Sequence, residues 1–288
     1  FLEVNDDFVG VDAAGFSTLG TAITITFRAW GDAIIPAVNT SVLEAVDDQG
    51  RRLLNIHLPW SDGHVYWDAG NDGGGYDRID KVTVPANVEG QWNHWAFVKN
   101  TATGNMRIYL NGTLWHSGTG KTKPLTGITR MKLASGIDGN VPYPGLLDEV
   151  NVFAAEVSAA NIAAWKDKAI DATHPNAADL LYSFHCDGAA DVHHLVNSAD
   201  PAHGSVAMGT VRRADRRATE LFQNAVVATV RPDMTLVQAD LVSTLDTLVI
   251  TEAETKPLLT EEHFAVNGNV IVPTDTLYAW LGGMNYTF

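Results

Sequence analysis

Apolar and polar residues alternate along several short segments of this chain. The alternation is strongest in residues 21–30, where Ile23, Ile25 and Phe27 are separated by threonines. A period of two places every second side chain on the same face of a strand, so these segments predict strands with one buried face. Turn residues separate the segments about every 8–12 positions, a spacing typical of antiparallel β-sandwiches.

Residues 92–99 and 106–110 predict a β-hairpin within this pattern. Asn111 and Gly112 follow directly and favour a second tight turn, because both residue types tolerate the positive φ angles of a two-residue hairpin loop. The chain therefore contains at least one run of strands that pair with their neighbours in sequence.

Residues 145–153 predict a further strand, and Ser158 favours the start of a short helix near 158–168. The motifs W-x-H-x-A-F-V, G-x-M-R-I-Y-L-N-G, G-L-L-D-E-V-N-V-F and S-x-x-x-I follow one another in this order. The order resembles the laminin-G-like branch of the concanavalin A-type lectin and glucanase folds, over about residues 1–170. The resemblance implies an all-β fold, an antiparallel two-sheet jelly-roll sandwich. The sequence pattern adds one short helix to this sandwich and, after it, a second smaller β unit. The resemblance implies no single function, because this fold supports many.

The alternating strands also predict which side chains fill the core of the sandwich. The expected core residues are Ile23, Ile25, Phe27, Trp95, Phe97, Ile108, Leu110, Val150 and Val152.

The character of the sequence changes at His174 and Pro175, where the proline ends the helical segment. We therefore place a laminin-G-like jelly-roll domain at 1–173, and a linker with a smaller β domain at 174–288. The strands predicted for the second part lie at 180–184, 226–230, 235–239, 247–251, 270–273 and 277–280. Both ends of the chain are strand-like, so we expect the second domain to be truncated and the chain to be a piece of a longer product.

Charge and cysteine content exclude several classes of partner and scaffold. The formal net charge of the 288 residues is -15, which argues against nucleic acids and anionic membrane surfaces as partners, since both require basic patches. Cys186 is the only cysteine, so the chain forms no internal disulfide. No apolar run approaches the ~20 residues of a membrane-spanning helix.

Glucanases of the sandwich type carry paired carboxylates on one strand, in a pattern such as Glu-x-Asp-x-x-Glu. No segment of this chain matches that pattern. Asp148 and Glu149 are adjacent, and adjacent residues of a strand point to opposite faces. We therefore expect no hydrolase activity in the isolated chain.

Asp148 has a second interpretation, which depends on the resemblance. Related jelly rolls hold a structural calcium ion near the last strand and the N-terminal turn, which here implies Asp6, Asp7 and Asp148 as ligands. Acidic turns supply the oxygen ligands that Ca²⁺ prefers. The alternative is that Asp148 caps a turn or pairs with a basic residue.

A glycan ligand would be held by residues beside the turns of the sandwich. Aromatic rings pack against the C–H groups of a sugar, while amides and carboxylates bind its hydroxyls. The candidate ligand-binding residues are Trp60, His64, Tyr76 and Tyr143, with the polar residues Asp62, Asn71, Asp72 and Asn140. A shared site requires that the loops at 60–64, 71–77 and 138–143 lie at one end of the sandwich. The alternative for each residue is ordinary packing or turn formation.

The segment 185–203 contains a second group of polar residues that could bind a metal or perform catalysis. Its members are His185, Cys186, Asp187, Asp191, His193, His194 and His203. The short regular spacings of zinc ligands are missing, which favours a polar connecting segment.

Segments near Leu180 and Pro232, and the segment from Asp275 onward, resemble the forepart of large secreted Bacteroidetes proteins, some of them related to peptide-N-glycosidase F. The parent protein would then be a peptide-N-glycosidase-type glycan amidase with its catalytic domain outside this chain. Our leading hypothesis is an extracellular or cell-surface accessory module that binds a glycan or glycoprotein. The alternatives are a structural spacer or assembly subunit of a bacterial surface complex, and an enzyme with its site at 185–203.

Overall fold

The structure is a computed structural model that describes a defined part of the chain. The described residues are 2–4, 8–35, 38–186, 196–201, 205–208, 212–213, 236–237, 264–267 and 270–273. The chain divides into two compact units, Phe1–Arg213 and Ala214–Phe288.

The first unit is built almost entirely from strands. In chain order these are β1 Leu2–Val4, β2 Phe8–Val11, β3 Ala22–Gly31, β4 Leu43–Val46, β5 Arg52–His57, β6 His64–Asn71, β7 Tyr76–Val82, β8 Asn93–Asn100, β9 Asn105–Leu110, β10 Thr113–Gly118, β11 Arg130–Leu133, β12 Gly145–Phe153, β13 Leu180–Phe184, β14 Ser205–Met208 and β15 Arg212–Arg213. The helical segments are the 3-10 turns Ala13–Thr18 and Ala177–Asp179, and the short helices α1 Pro85–Val88 and α2 Ala159–Trp165.

These strands form two antiparallel sheets. Among the described residues, the eight-stranded sheet has the order β10-β9-β8-β3-β12-β1-β15 with β13 also paired to β12, and the seven-stranded sheet has the order β14-β2-β11-β4-β5-β6-β7. The predicted all-β sandwich of two antiparallel sheets is therefore confirmed. In the second unit, β16 Leu236–Val237, β17 Phe264–Asn267 and β18 Val270–Pro273 form a small antiparallel sheet in the order β16-β18-β17. The strands predicted at 226–230, 247–251 and 277–280 lie outside the described residues.

The core lies between the two large sheets and contains the residues that the alternation predicts. Trp95, Phe97 and Phe27 are buried, and their rings stack with centroids about 6 Å apart. The other predicted core residues are buried as well, except Leu110, which is partly buried and packs against the same cluster. Every second residue of these strands points inward, which is why a period of two located the core correctly.

A buried ion pair joins the two sheets inside the sandwich. Lys99 on β8 is fully buried, and its Nζ donates to Asp77 Oδ2 on β7 at 2.8 Å and to Ala69 O at 2.6 Å. A Cβ at Gly70 would lie 2.7 Å from this Nζ and 2.2 Å from Lys123 O, so the ammonium group occupies space that only a glycine leaves open.

Helix α2 covers part of the outer face of the eight-stranded sheet. Its N-cap is Ser158, whose Oγ accepts a hydrogen bond from Asn161 N, so the predicted short helix is confirmed. Ile162 of the helix packs with Phe153 and Tyr109 in a second, smaller apolar cluster. The outer face of this sheet is therefore partly an interior surface.

The segment after Pro175 returns to the sandwich. β13 pairs with β12, with Ser183 opposite Asn151, and β14 pairs with β2 in the other sheet. The first compact unit thus extends to Arg213, beyond the boundary between 1–173 and 174–288 that the sequence predicts. The proline ends one local segment, but pairing between distant strands decides where a compact unit ends.

Candidate functional site

The predicted ligand residues divide between the two ends of β6. Trp60 and Asp62 precede this strand, whereas Asn71 forms its last residue and Asp72 and Tyr76 follow. A strand of eight residues is on the order of 25 Å long at about 3.3 Å per residue. The two loops are therefore too far apart to form the single loop site that the sequence hypothesis requires.

Tyr143 is the one predicted ligand residue that the structure removes from the surface. Its side chain is fully buried, and its backbone N–H donates to Ala134 O. Burial raises the pKa of its hydroxyl. A ring in this position cannot pack against a sugar, so the prediction that Tyr143 contacts a ligand is wrong for this conformation.

Asn140 lies in a loop that folds over the seven-stranded sheet. Within the loop, Gly136 N donates to Asn140 O at 2.8 Å. Ile137 N donates to Glu44 Oε2 at 2.7 Å, which ties the loop to the outward side of β4. Asn140 is exposed at the edge of this surface.

Between the loops, four charged side chains form a connected row on the outer face of the seven-stranded sheet. Arg52 donates from Nε to Glu44 Oε1 at 2.8 Å and from Nη1 to Asp68 Oδ2 at 2.9 Å. Arg78 donates from Nε and Nη2 to the two oxygens of Asp68, at 2.5 and 2.8 Å. Strand register makes Glu44, Asn55, Asp68 and Arg78 cross-strand neighbours on β4 to β7. Arg52, three residues before Asn55 on β5, reaches both Glu44 and Asp68 with its guanidinium group.

Two tyrosine rings flank the second arginine of the row. The guanidinium carbon of Arg78 lies 4.3 Å from the ring centre of Tyr66 and 5.1 Å from that of Tyr76. Arg52 also lies over Tyr76, at 5.3 Å. These six side chains, which we call the polar face, are Glu44, Arg52, Tyr66, Asp68, Tyr76 and Arg78.

One end of the polar face carries three of the predicted ligand residues. Tyr66 donates its hydroxyl proton to Asp62 Oδ2 at 2.6 Å, and this hydrogen bond raises the pKa of Tyr66 to about 12. His64 Nδ1 lies 2.9 Å from Asp80 Oδ2, and Trp60 contacts His57 edge-on with ring centres 4.4 Å apart. Trp60, Asp62 and His64 are therefore brought together, and Tyr76 is linked to them through Arg78 and Tyr66.

The electrostatics of the polar face suit binding better than proton transfer. Burial tends to raise the pKa of Glu44, but the Ile137 N–H group and Arg52 outweigh it and lower this pKa overall. Burial lowers the pKa of His57, whose Nδ1 lies 2.6 Å from Thr40 O. A general acid needs a raised carboxyl pKa, so Glu44 is poorly suited to that role.

The predicted calcium ligands are only partly described. Asp148 is buried near the bulge of β12, and Asp6 and Asp7 lie outside the described residues. The part of the chain that the structure describes holds no group of three or more histidine, cysteine or acidic side chains arranged for a metal. The calcium site remains a prediction.

Ser183, His185 and Glu149 form a hydrogen-bonded series on the eight-stranded sheet. His185 Nδ1 lies 3.0 Å from Glu149 Oε2, and its Nε2 lies 3.4 Å from Ser183 Oγ. A nucleophile, base and acid occur in this order in serine hydrolases. However, Ser183 is fully buried and donates to Asn151 Oδ1 at 2.7 Å, so a substrate carbonyl cannot approach its Oγ. Residues 187–195 and 202–203 of the polar segment lie outside the described part, and with them Asp187, Asp191, His193, His194 and His203.

Sequence reasoning missed five members of the polar face: Glu44, Arg52, Tyr66, Asp68 and Arg78. They occupy outward positions of strands, where a polar residue is expected and attracts no attention. A signal was present, because opposite charges occupy the outward positions of three successive strands. Recognising it requires the strand register, which the sequence does not state.

Comparison with known proteins agrees with this architecture. Residues 6–163 match the family model for the laminin-G-type branch of the concanavalin A-like lectin/glucanases superfamily. The chain belongs to this family. A search of curated proteins gives no match.

Several solved structures are similar to this chain at low sequence identity. A candidate carbohydrate-binding protein from Bacteroides ovatus has a TM-score of 0.55 and 14% identity, over 74% of this chain and 59% of its own. A NanB sialidase mutant from Streptococcus pneumoniae has a TM-score of 0.46 and 14% identity, over 57% of this chain and 27% of its own. The receptor-binding domain of a botulinum neurotoxin C/D mosaic has a TM-score of 0.44 and 14% identity, over 58% of this chain and 44% of its own. The similarity to the Bacteroides ovatus protein, at 14% identity, shows the fold alone.

No helix of the described residues has the length and apolar character needed to cross a membrane.

Proposed function

We propose that this chain is a carbohydrate-binding module and that the polar face is its binding site. The observation that carries the proposal is the pairing of accessible aromatic rings with guanidinium groups that are already fixed in place. The side chains of Arg52 and Arg78 are 26% and 33% exposed, while that of Asp68, which holds both, is fully buried. A ligand would therefore meet ordered donors that lose little conformational entropy on binding.

The two kinds of group match the two kinds of surface on a sugar ring. Tyr76 is exposed and offers an apolar surface for the C–H groups of a pyranose. Within the described part of the chain, Nη2 of Arg52 and Nη1 of Arg78 have no acceptor, so they are available to sugar hydroxyl oxygens. The family and the fold shared with a candidate carbohydrate-binding protein support this assignment.

The same contacts argue that the polar face binds without cleaving. The carboxylate oxygens of Glu44 accept hydrogen bonds from Arg52 and from Ile137 N, and those of Asp68 accept from Arg52 and Arg78. A glycosidase instead needs one protonated carboxyl group and one free carboxylate beside the scissile bond. The proposed activity is therefore recognition.

We propose further that the module acts outside the cell or on a bacterial surface, as a non-catalytic part of a larger glycan-processing protein. The chain spans 59% of the length of the Bacteroides ovatus protein, which leaves room for further domains in proteins of this kind. Sequencing the reading frame on both sides of this chain, and fractionating cells that express it, would test this placement.

A glycan array followed by calorimetry tests the proposed function. Tyr76→Ala should weaken binding at least tenfold, because it removes the exposed ring that both arginines contact. Leu114→Ala is the matched control, since Leu114 is 51% exposed on β10 of the other sheet.

Loss of binding in the Tyr76 variant with retention in the control would support the polar face. Equal binding by all three proteins would exclude this site. If the wild-type chain binds no glycan on the array, the proposal fails and the structural spacer becomes the better hypothesis.

A further inference from the structure

The charges of the polar face cancel within the face itself. Glu44 and Asp68 supply two negative charges, and Arg52 and Arg78 supply two positive charges. Arg52 bridges the two carboxylates, and Arg78 binds Asp68 with two hydrogen bonds, which is the strong geometry for this pair. The guanidinium groups are thus neutralised before any ligand arrives.

Two further acids lie at the Trp60 end of the face. Asp62 accepts from the neutral Tyr66 hydroxyl and from His64 N, and Asp80 is paired with His64. Among the described residues, neither carboxylate has a lysine or arginine within ion-pair distance. The side chain of Asp80 is 39% exposed, so its charge acts on a ligand at the surface.

We infer that the polar face selects neutral glycans and rejects their acidic counterparts. This inference rests on the proposed function and specifies its ligand: oligosaccharides of hexoses and N-acetylhexosamines without sialic acid, uronic acid or sulfate. The reason is the charge balance, because a sugar carboxylate could bind Arg52 or Arg78 only in competition with Glu44 and Asp68, and in the field of Asp62 and Asp80.

A neutral sugar neither competes with Glu44 and Asp68 for the arginines nor is repelled by Asp62 and Asp80. Its hydroxyl oxygens accept from the remaining N–H groups of the arginines, and its hydroxyl protons donate to Asp62 and Asp80. Charge-assisted hydrogen bonds of this kind are stronger than those between neutral groups. The acids that repel an anionic sugar are therefore the acceptors that hold a neutral one.

The test compares matched glycans on the full chain. The probes are N-acetyllactosamine oligosaccharides with and without a terminal sialic acid, and galactose tetramers with their galacturonate counterparts, measured by array and by calorimetry in 20 mM and 500 mM NaCl. The neutral member should bind about tenfold or more tightly in low salt. The ratio should shrink in high salt, because the screening length falls from more than about 20 Å to less than about 5 Å over this range.

A variant identifies the source of the selectivity. Asp62→Asn with Asp80→Asn should raise binding of the acidic probe severalfold, and Asp167→Asn on the other side of the molecule is the control. Tighter binding of the acidic probe by wild type, or a ratio that does not change with salt, would overturn the inference while leaving glycan binding intact. Failure of every probe and of every glycan on the array would instead overturn the proposed function and the inference together.

Discussion

The buried pair of Lys99 and Asp77 gives the sharpest test of how the sandwich is stabilised. In Asp77→Asn the ammonium group of a fully buried lysine loses its counter-charge while the shape of the partner is kept. Asp77 Oδ2 also accepts from Lys123 N at 2.9 Å, and an asparagine carbonyl can still make that bond. The substitution therefore removes charge and little else.

The expected loss is about 3–5 kcal/mol, the range found when one partner of a buried ion pair is removed. This is a large fraction of the ~5–15 kcal/mol that stabilises a typical domain. Adding Lys99→Met to the Asp77 variant should restore much of the loss, because it removes the unpaired charge and keeps an apolar chain of similar length.

Urea unfolding followed by tryptophan fluorescence measures this loss, because every tryptophan except Trp280 lies in the first unit. Asp167→Asn is the control, since its pair with Lys166 is exposed and should contribute less than about 1 kcal/mol. A loss in Asp77→Asn no larger than that of the control would refute the reasoning.

The same variant has a pH signature. Burial lowers the pKa of Lys99 from its ordinary 10.5, and Asp77 partly offsets this effect. Between the lowered pKa of the folded protein and pH 10.5, Lys99 is protonated in the unfolded chain but has lost its proton in the folded protein. Folding stability therefore rises with pH in that window. Without Asp77 the pKa of Lys99 falls further, and the deficit of the variant should shrink between pH 7 and pH 9.5. A deficit that grows with pH would contradict this assignment.

Three further outcomes are expected. Trp95→Ala should destabilise the first unit by about 3–5 kcal/mol, because it removes a fully buried indole from the core, and an unchanged melting curve would contradict its burial. Gly70→Ala should lower the melting temperature, because its Cβ would lie 2.2 Å from Lys123 O at a φ of 73°, whereas Gly20→Ala, which meets no atom within 4 Å, should not. Ser183→Ala should leave any hydrolysis of glycosides or esters at the background level of wild type, because the buried Ser183 cannot act as a nucleophile, and activity lost in this variant would restore the enzyme hypothesis.

The core could be predicted from the sequence because it depends on a period of two. Ile23, Ile25 and Phe27 are apolar at every second position, and a strand has no other way to place all three in one core. Tyr143 shows the limit of this reasoning, because it stands in a loop where no period applies. Its loop is joined to Ala134 by a backbone hydrogen bond and its ring is buried, and only the folded chain reveals both features.

The candidate site was harder to predict because it depends on register and on loop ends. Successive turns of an antiparallel meander lie at opposite ends, so the separation of Trp60 from Asp72 could have been found by counting strands. The row from Glu44 to Arg78 could not, because a shift of one residue would turn each side chain to the other face. Register is fixed by the packing of all strands together.

The placement of α2 on one sheet gives the first unit a front and a back. A tether joined to Ala164, which is exposed on this helix, would extend from the back and leave Tyr76 and Arg78 facing away from the support. A tether joined to Gly73, in the loop between β6 and β7, would turn the same residues toward the support. On a biosensor chip the point of attachment would therefore decide whether binding is observed, and two such immobilised forms of one protein could give opposite results.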